Sequence, residues 1–159
     1  MAALSDLPLR YRARLAVYRW HAAPPAWTPL ARPLTRSRVA LVTMAGYYDP
    51  EADAPFLRIP GGDCSFRVLP DGVALSALTL GQTSSAFDHA PALADPNVAF
   101  PLDRLHDLVA AGEVGEAAPH HLSFNGSITA PRPLVRDFAP AAAELLTEDR
   151  VDAAVLVPI

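Results

Sequence analysis

The chain has 159 residues, a length that fits one domain. Hydrophobic residues make up 51% and charged residues 19%, so it has the means to bury a core and lacks the composition of a disordered chain. The formal charge of -4 argues against the clustered basic surface that nucleic-acid binding requires.

All 13 basic residues are arginine, so covalent catalysis through a lysine amine is excluded. Cys64 is the single cysteine, which rules out an intrachain disulfide and a cysteine-based zinc cage. The N-terminal residues carry charges throughout and lack the apolar stretch of a signal peptide. No segment approaches the roughly 20 apolar residues of a membrane helix. The expectation is a cytoplasmic protein that engages neither membrane nor nucleic acid.

In chain order, Ser5 to Trp20 is a candidate helix, and AAPPAWTPLARPL after it reads as an extended, proline-rich wrap. Ser37–Thr43 (SRVALVT) is the first clear strand, and its unbroken apolar run predicts burial on both faces. Residues 47–63 read as a long loop, a length that is usually functional or disordered. Phe66–Leu69 predicts a short strand, and Ser84–Pro96 an irregular segment. Val98–Phe100 reads as another strand. Leu102, Leu105, Leu108 and Val109 then recur at helical spacing, with Gly112 as the stop. His121–Phe124 is a strand candidate ending near Asn125-Gly126. Ala139–Leu146 predicts a helix with Asp137 as N-cap, and Val151–Val157 the last strand.

Strands alternating with helices favour a parallel α/β sheet. The expected fold is a three-layer sandwich with a mostly parallel, Rossmann/flavodoxin-like sheet. Residues 37–159 form the single α/β domain, and residues 1–36 supply a helix and a proline-rich wrap packed on it.

Five islands resemble one family. They are TRSRVALVTMAG, GGDCSFRVLP, FDHAPALADPNVAFPLDRLHDL, HHLSFNGSI and VDAAVLVPI, and their order and spacing match over most of the chain. The family is the glycine/sarcosine/betaine/D-proline reductase B subunit, the selenoprotein B family. The resemblance implies an α/β domain with a reductive role, in substrate-binding subunits that carry a redox thiol or selenol. In shorter relatives a Cys-x-x-Cys-type motif directly follows the Val-Pro strand end. This sequence reaches Ile159 where that motif would begin, and it has Cys64 where relatives often have proline or an aromatic residue. The implied redox group is therefore expected from a thiol- or selenol-bearing protein partner, and self-association into a homo-oligomer is the default.

Ligands of open α/β sheets bind outside the carboxyl ends of the strands. Thr43–Gly46, Ser123–Gly126 and Val157–Ile159 lie at such ends. Candidate catalytic residues are Cys64, His89 and His121. Candidate substrate contacts are Thr43, Gly62, Asp63, Arg67 and Ser123. The glycines before Cys64 allow close backbone approach, Arg67 would lower the thiol pKa and Asp63 would raise it, and Arg67 has the fork geometry for a carboxylate. A lone thiol cannot close a disulfide after giving up electrons, so a two-electron cycle needs a second thiol from elsewhere. The histidines have the pKa range for acid/base work. A metal held by His89, His120, His121 and Asp88 is conceivable, but the spacing gives it little support. No cofactor is expected.

The leading expectation is a reductase-family protein that binds a small amine- or carboxylate-bearing substrate. A non-redox enzyme using histidine acid/base chemistry, or a non-catalytic assembly subunit, are the alternatives. No Gly-x-Ser-x-Gly elbow and no Gly-x-Gly-x-x-Gly fingerprint is present.

Overall fold

A computed structural model describes residues 6–9, 12–13, 28–84 and 87–159. The candidate helix over Ser5 to Trp20 and much of the proline-rich wrap lie outside the described residues.

The fold is built around strand β1 (Arg38–Thr43), of which the last five residues are buried. Its apolar run is what a strand covered on both faces requires. β1 is parallel to each of its partners. β5 (Glu116–Ala117) and β6 (His120–Phe124) follow one another along one side of it, pairing first with Arg38 and Val39 and then with Val42 and Thr43. β7 (Ala153–Val157) runs along the other side, from Val39↔Ala153 to Thr43↔Val157. β3 (Phe66–Pro70) lies outside β6 and is antiparallel to it. The result is an α/β fold with a mixed, mostly parallel sheet. The alternation of elements does not announce the reversed β3.

Each face of the sheet carries a hydrophobic cluster. Val39, Leu41 and Leu69 pack with Phe100, Leu102 and Leu105 on one face. Val42, Leu122 and Phe124 pack with Ala142 on the other. The first cluster is closed by helix α2 (Leu102–Ala110), whose Leu102 and Leu105 are its buried positions. α2 stops at Gly112, which adopts φ +73°. The amide of Gly112 bonds the Val109 carbonyl and that of Glu113 the Leu108 carbonyl, the paired bonds of a Schellman stop. The second cluster is closed by helix α3 (Ala139–Glu148).

Several boundaries differ from the sequence reading. Tyr47–Tyr48 (β2) and Thr79–Leu80 (β4) form a small antiparallel pair, the first inside the expected loop. Helix α1 (His89–Ala94) occupies the segment read as irregular, capped by the Asp88 carboxylate on the Ala90 amide at 3.0 Å. Val98–Phe100 is not a strand: Pro96–Val98 is a 3-10 turn, because Asp95 accepts a bond from the Asn97 amide and starts a helical turn there. Asp137 does not cap α3. A π-turn over Leu134–Phe138 runs straight into that helix, and Asp137 pairs instead with Arg136 at 2.8 Å. Pro140, which has no N–H to donate to the preceding turn, sits at the junction.

Leu122 is fully buried and Leu156, on β7, is 71% exposed. Leu122→Ala is expected to lower unfolding free energy by about 2–5 kcal/mol. Leu156→Ala should change it by no more than about 0.5 kcal/mol. Urea denaturation of both variants checks the assignment of core and surface.

Candidate functional site

The carboxyl ends of β1 and β6 are tied together by backbone bonds. Gly46 donates to the Phe124 carbonyl at 2.8 Å and Gly126 to the Met44 carbonyl at 3.0 Å. Thr43 finishes β1: its hydroxyl donates to the Ala99 carbonyl at 2.6 Å and accepts from the Ala45 amide at 3.1 Å. A strap formed by residues 81–84 crosses above these ends. The Gln82 side-chain amide donates to the Met44 carbonyl at 2.9 Å and accepts from the Ser84 amide at 3.0 Å. Asn125 donates to the Thr83 hydroxyl at 2.9 Å and accepts from the Thr83 amide at 3.4 Å. Both amide side chains are buried, so each needs these partners to offset its desolvation.

Two cavities open on either side of this strap. The first, of about 520 Å³, has Gln82, Phe87, Asp88, Val98 and Ile159 in its walls. The second, of about 460 Å³, has Leu57, Arg58, Gly62, Thr83 and Thr129. Ser84 and Ser127 belong to both. Ser127 has φ +68°, a left-handed conformation that costs energy for a residue with a Cβ and that clusters at ligand sites.

The outer wall of the second cavity is a loop-on-loop contact. The Gly61 carbonyl accepts from the Thr129 and Ala130 amides at 2.9 and 3.0 Å. Gly62 has φ +91°, and a Cβ on it would stand 2.9 Å from the Ile128 Cα. Only glycine permits that approach.

The expected site residues divide among these features. Gly62 lines the second cavity. His89 braces the strap, its Nε2 3.2 Å from the Gln82 carbonyl and its ring edge-on to Phe87. Asp63 is buried and accepts from the Leu57 amide at 2.8 Å, the Ser65 amide at 2.9 Å and the Ser65 hydroxyl at 2.6 Å. Burial pushes its pKa up, but these bonds and the nearby Arg67 outweigh that and hold it below the usual carboxylate value.

Arg67 spends its guanidinium on the Ala54, Pro55 and Phe66 carbonyls and the Ser65 hydroxyl, and lies 4.2 Å over the Phe56 ring. The fork read as a carboxylate clamp is thus occupied by the protein's own loop. Cys64 is buried beneath the same loop, its Sγ 3.9 Å from the Ala130 carbonyl oxygen and 4.0 Å from that of Gly62. It is in the wall of neither cavity. Ser123 is fully buried, and its hydroxyl has no partner among the described residues.

His121 lies one residue into β6, away from that strand's carboxyl end. The Leu41 amide donates to its Nδ1 at 3.0 Å, so Nε2 carries the hydrogen and donates to the Asp71 carboxylate at 3.0 Å. Both ring nitrogens are engaged, which leaves none for a substrate proton. His106 approaches the same Asp71 oxygen at 2.7 Å. Burial lowers the His121 pKa more than Asp71 raises it, so the neutral ring is favoured. His120 points to the other face and meets Asp149 at 2.9 Å, as neighbours on a strand must. Among the described residues no three His, Cys, Asp or Glu side chains converge as a metal would require.

Sequence reasoning missed Gln82, Thr83, Ser84, Ser127 and Arg58. The available signal was a run of polar residues at the end of an apolar strand, which only the fold brings to the ends of β1 and β6.

The family model described as glycine/sarcosine/betaine reductase selenoprotein B matches residues 71–158. The chain belongs to this family. It is also 31% identical over 153 residues to the D-proline reductase subunit gamma of Acetoanaerobium sticklandii, an alignment covering 96% of this chain and 61% of that protein. The chain thus spans about three-fifths of its curated relative. No solved structure matches it. No helix among the described residues is long and apolar enough to cross a membrane.

The His121 geometry sets a pH dependence. Its folded pKa is depressed below the ordinary 6.5, so the unfolded chain takes up the proton first as pH falls. The stabilisation is complete above pH 6.5 and declines below it. Asp71, also held low, acts in the same direction below its ordinary 3.8. Urea unfolding between pH 7.5 and 5 should show falling stability for the native chain and a flatter slope for His121→Asn. Parallel slopes would show that His121 does not carry the effect.

Proposed function

We propose that this protein is a B-subunit-like component of an amino-acid reductase. It holds a small amine- or carboxylate-bearing substrate at the carboxyl edge of its sheet, and a partner chain delivers the redox thiol or selenol. The observation that carries this reading is the meeting of two cavities over Ser84 and Ser127, at the ends of β1 and β6, in a chain of this family. Ligands of open α/β sheets bind outside the carboxyl ends of the strands, which gives the physical reason.

Gly62, Ser84 and Ser127 are the proposed contacts, with Thr43, Gln82, His89 and Asn125 holding the walls. Asp63, Cys64 and Arg67 shape the loop that closes the second cavity. The reaction a bound substrate would undergo is reductive, and no thiol among the described residues opens into the cavities; Cys64 is the one cysteine and is buried. The substrate class follows from the relatives, one bearing the name D-proline reductase and the family that of glycine, sarcosine and betaine reductase. The clusters on both faces of the sheet support a three-layer, Rossmann/flavodoxin-like arrangement. A cytoplasmic location fits the same reading. The exposed Val155 and Leu156 on the outer strand β7 favour association with another chain.

A native mass spectrum of the protein purified gently from its own cells tests the proposal. It should show a stoichiometric second chain that carries a redox cysteine or selenocysteine. A lone chain, or a homo-oligomer alone, would contradict a partner-supplied redox group.

A further inference from the structure

The two adjoining cavities carry opposite charge. Asp88 is the only charged side chain in the described wall of the first cavity. Arg58 is the only one in that of the second. Neither has an ion pair among the described residues. Asp88 spends Oδ1 on the Ala90 amide, and its Oδ2 has no partner among the described residues. Arg58 is exposed and has neither an ion pair nor a hydrogen bond among the described residues. Their neighbours behave differently: Asp63 has both oxygens occupied, and Arg67 has its whole guanidinium engaged. The loop that holds Arg58 is fixed by the Gly61 contacts to Thr129 and Ala130, and Asp88 is fixed as the cap of α1. Both charges are therefore presented from defined backbone positions, on either side of the shared Ser84 and Ser127.

Resting on the function proposed above, we propose that Arg58 and Asp88 set the polarity of a zwitterionic substrate. Its carboxylate lies in the second cavity against Arg58, its ammonium lies in the first against Asp88, and the molecule crosses at Ser127. Arg58 supplies a planar fork that matches a carboxylate. Asp88 supplies an acceptor for an ammonium group, and the apolar Phe87, Val98 and Ile159 beside it suit the carbon skeleton. Ser127, in the left-handed conformation, lines both cavities at the crossing point. A ligand with one charge reads one residue, and a ligand with both reads two. The pair thus acts as a specificity filter and fixes which end of the substrate faces a redox group arriving at the first cavity or the second.

Calorimetric titration of the full chain with three probes tests this: D-proline, cyclopentanecarboxylate and pyrrolidine. Arg58→Gln should weaken D-proline and cyclopentanecarboxylate about tenfold or more and leave pyrrolidine unchanged. Asp88→Asn should weaken D-proline and pyrrolidine to a similar extent and leave cyclopentanecarboxylate unchanged. Asparagine serves as well as aspartate at a helix N-cap, so that variant should keep its thermal midpoint. Arg58→Lys, which keeps the charge, should recover part of the carboxylate affinity. Native binding of D-proline with variants that weaken all probes alike, or none, would overturn the polarity and leave the functional proposal standing. A native chain that binds none of the three probes would overturn both.

Discussion

The Met44 carbonyl accepts two hydrogen bonds, from the Gly126 amide and from the Gln82 side chain, and the carboxyl edge of the sheet depends on that pairing. The first bond ties β1 to β6. The second fastens the 81–84 strap to the same point. Asn125 repeats the fastening through Thr83. Without these bonds Gln82 and Asn125 would be buried amides with unmet donors and acceptors, a state that costs about 1–3 kcal/mol for each group. With them, a loop that would otherwise be free becomes a fixed wall shared by two cavities.

The rest of the edge follows from that wall. The first cavity lies between the strap, α1 and Ile159, and the second between the strap and the 57–62 loop. Gly61 and Gly62 let the second loop press against residues 127–130 closely enough to enclose space. The opposite end of the sheet is occupied differently. There Arg38 meets Glu116 at 3.0 Å and bonds the Asp149 carbonyl, while the Asp152 carboxylate accepts from the Arg38 amide at 2.9 Å and pairs with Arg32. Those charges are paired within the protein, whereas Arg58 and Asp88 at the carboxyl edge have no ion pair among the described residues.

Much of this was legible in the residues and some was not. The unbroken run of β1 declared a strand covered on both faces, and Leu102, Leu105 and Gly112 declared α2 and its stop. The family was legible too, because five short islands kept their order along the chain. The antiparallel β3 was hidden, since strand direction is set by tertiary contacts rather than by local pattern. Helix α1 was hidden by two prolines within and after it and by its short length. The site was the hardest part. Cys64, His121 and Arg67 are the residue types that do chemistry, yet each is consumed by packing or hydrogen bonds that only the fold reveals. Arg58, Ser84 and Ser127 have no distinctive spacing, and only the fold brings them to one cavity, across some 70 residues of sequence.

The central claim is that ligand sits at the carboxyl edge, in the cavities joined at Ser127. Amide chemical-shift mapping of the isotopically labelled chain, titrated with D-proline, glycine and betaine in turn, tests it most directly. The account predicts that at least one of these shifts the amides of Gly62, Thr83, Ser84 and Ser127, and leaves those around His106, Asp71 and His121 in place. Shifts confined to the separate apolar cavity that Met44, Leu146 and Leu156 line between β7 and α3, or none with any of the three compounds, would contradict it.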